Sequence, residues 1–136
     1  AVVSERDLWE TYLPAFKDLV TKADVKQVMF AYNRMFGVSA GANERFMRDI
    51  LEKEWGFEGV VMTDWFSTNK GQGDNALAMK AGNDLIMPGG ATFKAEILLG
   101  LRSGKLTKAD LRRCCANVLK QIFDSPTQRE YIDGKP

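Results

Sequence analysis

Apolar residues along this chain switch between two spacings, and the switches divide it into helices and strands. Ser4-Glu5-Arg6-Asp7 has the form of a capping box, with Asp in the last place, and opens a helical region running to about Lys22. Pro14 lies inside it. An interior proline removes a backbone donor and clashes with the preceding turn, so a split is expected, with Pro14 starting the second helix. Gln27 to Ala31 reads as a short apolar strand, and Tyr32 to Ala42 as a loop. Asn43 is a candidate N-cap for a helix whose apolar stripe is Phe46, Met47, Ile50 and Leu51. Gly59 to Thr63 is uniformly apolar until Asp64, as in a strand buried on both faces of a parallel sheet.

The second half repeats the alternation. A Gly-rich loop, Lys70-Gly71-Gln72-Gly73, precedes a short helix over Asn75 to Ala81. Asp84 to Met87 is predicted as a third strand, closed by Pro88-Gly89-Gly90. A helix follows from Thr92 to Arg102 and ends at Gly104. Thr107-Lys108-Ala109-Asp110 again resembles a capping box, and Leu111, Cys114, Cys115, Val118, Leu119 and Ile122 recur at helical spacing. The polar stretch 124–136 is expected to be an irregular tail or linker.

The order α-βα-βα-βα predicts an α/β fold with a parallel sheet and right-handed crossovers. A closed (β/α)8 barrel takes about 250 residues. The 136 residues here give about three parallel βα units plus flanking helices. The choice is therefore a small open sheet or a partial (β/α)8, TIM-type barrel.

Composition narrows the chemistry. The chain is 45% hydrophobic and 27% charged, as in ordinary folded domains, and its net charge is +1. Its basic residues are dispersed, which gives no nucleic-acid surface, and no apolar run has the length of a membrane span. The N-terminus lacks a signal-peptide pattern, but in a piece of a longer protein that leaves localisation unknown. The absence of His excludes Ser-His-Asp and Cys-His catalysis. With two cysteines and no His, no metal site is expected, and Cys114 and Cys115 read as small buried apolar residues.

In parallel α/β folds, ligands bind beyond the C-terminal ends of strands. Three groups fall there: Tyr32-Asn33, Asp64-Trp65 and Pro88-Gly89. A carboxylate fixed beside an indole suits a sugar, whose C–H face stacks on aromatics and whose hydroxyls bond to carboxylates. An Asp after a strand is also a common turn former.

The motif set decides between these. Lys53-Glu54-Trp55-Gly56-Phe57-Glu58-Gly59-Val60-Val61-Met62-Thr63-Asp64-Trp65 resembles the nucleophile signature of glycoside hydrolase family 3, a KEWGFDG-type run leading to SDW, with Thr63 in place of Ser. Val3 to Leu8, Tyr12 to Lys17, Val28 to Asn33, Asn43 to Leu51, and Ala78 to Gly89 resemble other family segments in the right order. The similarity covers residues 1 to about 123. It implies the C-terminal portion of the catalytic barrel over 1–123, with a polar tail or linker over 124–136.

The resemblance also implies roles. Asp64 would attack the anomeric carbon and form a glycosyl-enzyme intermediate. Trp65 would wall the subsite of the non-reducing sugar. Tyr32 would lie beneath the sugar, its hydroxyl within reach of Asp64, and Met29 would give apolar lining or simply pack. Trp65 directly after Asp64, with no His, favours the β-glucosidase or β-xylosidase branch over the β-N-acetylglucosaminidase one.

The implied substrate is a β-glucoside or oligosaccharide, and no cofactor is expected. A retaining glycosidase also needs an acid/base carboxyl. In this family that group is usually a Glu on a separate sandwich domain, for which this chain has no room. The implied partners are therefore the missing barrel half and that sandwich domain. Isolated, a strand block with open edges would be inactive and oligomeric or domain-swapped. The competing reading is a non-catalytic βα module binding a sugar, or a phosphate at Lys70-Gly71-Gln72-Gly73; that loop lacks a full phosphate-binding pattern.

Overall fold

The computed structural model describes residues 1–69 and 73–134. The predicted loop at Lys70-Gly71-Gln72 lies outside the described residues.

The N-terminal helical region is split as its sequence requires. Ser4 caps α1 (Glu5–Asp7), its Oγ accepting from the Asp7 N–H at 3.0 Å. One wide turn follows over Leu8–Tyr12, closed by the Leu13 N–H on the Leu8 carbonyl. Pro14 then opens α2 (Pro14–Thr21), where its missing donor costs nothing. The predicted strands at 27–31 and 59–63 form β1 (Gln27–Met29) and β4 (Val60–Met62). They pair in parallel, Gln27 opposite Val60 and Met29 opposite Met62.

Four expectations about secondary structure are corrected. The loop 32–42 contains a two-residue hairpin, β2 (Arg34–Met35) and β3 (Val38–Ser39), paired antiparallel. Phe36 and Gly37 between them have φ of 53° and 81°, the left-handed pair of a type I′ turn. Asn-Gly usually signals that turn; Phe-Gly does not. Second, the helix after Asn43 is wound with i→i+5 bonds over Arg45–Glu54, and Asn43 contributes its carbonyl, not its side chain, to the first turn. Third, the strand at 84–87 reduces to one parallel bridge, Met62 to Leu85. Fourth, the polar stretch after Asp124 is partly helical: Ser125 caps α6 (Pro126–Ile132).

The third strand is short for a physical reason. Leu85 donates to the Val61 carbonyl at 3.1 Å and accepts from Thr63 at 3.0 Å, as a parallel ladder should. The next donor, the Met87 N–H, goes to the Thr63 hydroxyl at 2.7 Å instead of a backbone carbonyl. Pro88 then has no N–H to give. At the other end the Asp84 carboxylate takes the Val61 N–H at 3.1 Å. Side chains finish both ends of the ladder.

Two apolar clusters flank the sheet. One joins Val20, Phe30, Met47, Ile50, Leu51, Trp55, Phe57 and Val61 under the N-terminal half. The other joins α3 (Asn75–Ala81), α4 (Ala91–Arg102) and α5 (Lys108–Phe123) through Ala76, Met79, Phe93, Leu106 and Cys114. Gly100 lets α3 and α4 meet: a Cβ there would lie 2.4 Å from that of Ala76. Cys114 is buried as expected, but Cys115 is exposed, because neighbours on a helix face different ways.

Candidate active site

Because β1 and β4 are parallel, the residues after each emerge at one end of the sheet. The structure brings three segments together there. The Tyr32 hydroxyl donates to the Phe66 carbonyl at 3.3 Å, and the Phe66 N–H donates to the Met87 carbonyl at 3.2 Å. The three strand ends singled out from sequence are thus linked by hydrogen bonds.

Asp64 sits half-buried two residues beyond β4. Its Oδ1 accepts from the Trp65 N–H at 2.6 Å. Its carbonyl accepts from the Ser67 hydroxyl at 3.0 Å, and Ser67 is itself buried. These bonds curl the chain into a turn immediately after the strand and fix the carboxylate at the sheet's mouth. Thr63, fully buried and bonded to Met87, anchors the residue before it. Asp64 is among the residues lining a hollow of about 460 Å³ beside β1, together with Phe30, Met47 and Trp55. Among the described residues lining that hollow, Asp64 is the one carboxylate.

The other expected residues fall at the same end. Trp65 is 57% exposed, its indole meeting Phe66 edge-on with ring centroids 6.1 Å apart. Tyr32 and Met29 are exposed too, and Met29 borders the same hollow as Asp64. The Tyr32 hydroxyl bonds to the Phe66 carbonyl rather than to Asp64, so it braces the loop that carries the carboxylate. Thr63, Phe66 and Met87 were not among the expected site residues. Thr63 and Phe66 flank Asp64-Trp65 in sequence, and that adjacency was the available signal; the Met87 contact is set by tertiary structure.

Away from the mouth, Asp84 is buried beneath the sheet. It accepts from the Val61 N–H and from the Asn117 amide at 3.0 Å. Burial pushes its carboxyl up to about 6 against the pull of those two bonds. Among the described residues no cluster of metal-ligating side chains is present, and no helix is long and apolar enough to cross a membrane.

This arrangement places a carboxylate and an exposed indole at one end of a small parallel sheet flanked by helices. Residues 2–120 match the model of the glycosyl hydrolase family 3 N-terminal domain, and the chain belongs to that family. It is 41% identical to a β-glucosidase of Rhizobium radiobacter over 118 residues, 86% of this chain and 14% of the relative. It is 38% identical to an exo-α-(1→6)-L-arabinopyranosidase of Bifidobacterium breve, over 90% of this chain and 16% of that protein. The solved structure of β-glucosidase 3B from Thermotoga neapolitana in complex with glucose superposes with a TM-score of 0.86 at 38% identity, covering 96% of this chain and 19% of that one. The chain therefore spans less than a fifth of the length of these relatives.

Proposed function

We propose that this chain is the nucleophile-bearing portion, over 1–123, of the barrel of a retaining β-glycosidase acting on terminal β-D-glucosyl or closely related pyranosyl residues. Asp64 is the nucleophile. Its carboxylate displaces the aglycone oxygen from the anomeric carbon as an acid elsewhere protonates that oxygen. Water then cleaves the glycosyl-Asp64 ester with the same group acting as base. Trp65 walls the sugar, Met29 lines the site and Tyr32 braces the loop. The acid/base stands about 5–5.5 Å from the nucleophile in such enzymes. It comes from outside this chain, as does the remainder of the barrel, so the chain alone is inactive.

One observation carries the reading: a half-buried carboxylate held by its own turn at the C-terminal end of a buried parallel strand, beside an exposed indole. The relatives named above are glycosidases, and the arabinopyranosidase among them widens the class to other pyranosides.

The test uses the enzyme that carries this segment. A 2-deoxy-2-fluoro-β-glucoside slows hydrolysis of the ester, and digestion with mass spectrometry locates the adduct. The label is expected on Asp64, and Asp64→Asn is expected to lower kcat on the order of a thousandfold or more. A label on another residue refutes the assignment.

A further inference from the structure

Phe66 is 42% exposed, yet both its backbone and its ring are held by other segments, and its backbone is unusual. Its φ is 61°, the left-handed region, where a bulky side chain rarely sits. Its N–H is held by the Met87 carbonyl at 3.2 Å, and its carbonyl accepts from the Tyr32 hydroxyl at 3.3 Å and the Asn69 N–H at 3.0 Å. Bonds from both sides over-determine the conformation, which is how an unfavourable backbone persists.

That conformation directs the ring between two others. On one side it meets Trp65 at 6.1 Å with planes at 84°, an edge-to-face pair. On the other it meets Phe93 at 6.3 Å and 39°. Phe93 is buried in the cluster with Met79 and Leu106. Trp65 is more than half exposed and would otherwise be free to change rotamer. Through Phe66 its indole is braced against the core of α3 and α4.

We infer that Phe66 is a positioning residue that fixes the Trp65 indole as a sugar platform, acting through Trp65 and not on the reacting atoms. The inference rests on the reading of Trp65 as that platform. A platform that stacks equally on bound substrate and transition state changes KM and leaves kcat alone. A purely structural residue does the reverse, lowering the active fraction and hence the apparent kcat with KM unchanged.

The experiment measures both constants on an aryl β-glucoside in the enzyme carrying this segment, for Phe66→Gly, Phe66→Leu, Phe66→Tyr, Trp65→Ala and the double variant Trp65→Ala/Phe66→Gly. Glycine tolerates the left-handed backbone and removes only the ring; leucine keeps apolar bulk should glycine loosen the loop. The expected result for Phe66→Gly and Phe66→Leu is a KM raised about three- to tenfold with kcat within about twofold, the worth of one aromatic contact. Phe66→Tyr should match the wild type, and Phe66→Gly should add little once Trp65 is gone. A KM raised by Trp65→Ala but unchanged in Phe66→Gly and Phe66→Leu, or an effect of Phe66→Gly that adds in full to that of Trp65→Ala, overturns the positioning role while leaving Trp65 in place. An unchanged KM for Trp65→Ala overturns the platform itself.

Discussion

Asp84 illustrates how one side chain couples local geometry to solution behaviour. Its carboxylate replaces a strand partner for Val61 and holds Asn117 of α5, and its pKa is raised to about 6, by burial foremost. An ordinary unfolded Asp titrates near 3.9. The folded chain thus holds the proton more tightly than the unfolded one. The associated stabilisation is complete below about pH 4 and is lost as pH rises through about 6, a fall on the order of 2–3 kcal/mol. Asp84→Asn removes the titration. Denaturant unfolding from pH 4 to 7 should show the wild type losing stability across that window and the variant lacking this component, whatever offset the altered hydrogen bonds impose. Equal slopes would place Asp84 in a more solvated setting. The sequence placed Asp84 at the start of a strand but gave no sign of its role, because Asn117 lies 33 residues away.

At the scale of elements, much of the local chemistry was readable where it acts within a few residues. Thr107 and Asp110 form the reciprocal capping box anticipated for α5: the Thr107 Oγ1 accepts from the Asp110 N–H at 3.1 Å, and the Asp110 carboxylate accepts from the Thr107 N–H at 2.9 Å. Thr107→Ala should therefore cost about 1 kcal/mol. A urea midpoint lowered accordingly, with an unchanged m-value, would confirm it; no change would mean the first turn of α5 is held by tertiary contacts alone. Pro14, Ser4 and the apolar run before Asp64 were legible on the same grounds. Two misses are local, the Phe36-Gly37 hairpin turn and the Ser125-capped helix α6 in the polar stretch; the loss of the third strand is not. The third strand ends where the Thr63 hydroxyl intercepts the Met87 N–H, a contact 24 residues apart. The wide-wound helix over Arg45–Glu54 keeps the anticipated buried positions Met47, Ile50 and Leu51, so its periodicity pointed to the right face with the wrong winding. The site followed the same division: the clustering of Asp64, Trp65, Tyr32 and Met29 at one end followed from parallel strand order, whereas the hydrogen bond of Tyr32 to Phe66 depends on how two loops dock.

Over the whole molecule, the sheet has one covered face and one that opens only toward the mouth, Val60 at its other end being buried. Val28 and Val61 turn toward the N-terminal core. On the opposite face, Met29, Met62 and Leu85 occupy adjacent register positions, with Met29 55% and Leu85 37% exposed. Among the described residues β1 has a strand neighbour only on its β4 side, so its other edge offers unpaired backbone groups. An apolar strip beside a free edge is the arrangement that recruits another strand. We expect the 136-residue chain to self-associate through this face. Sedimentation velocity over a range of concentrations should show a mass-action shift toward dimers or larger species. Met29→Lys places a charge on both the strip and the edge and should move the equilibrium toward monomer without loss of helical circular dichroism, since Met29 is 55% exposed. A wild-type chain that stays monomeric with native-like dichroism at every concentration would mean this open face is not adhesive, and the need for a covering partner would have to rest on catalysis alone.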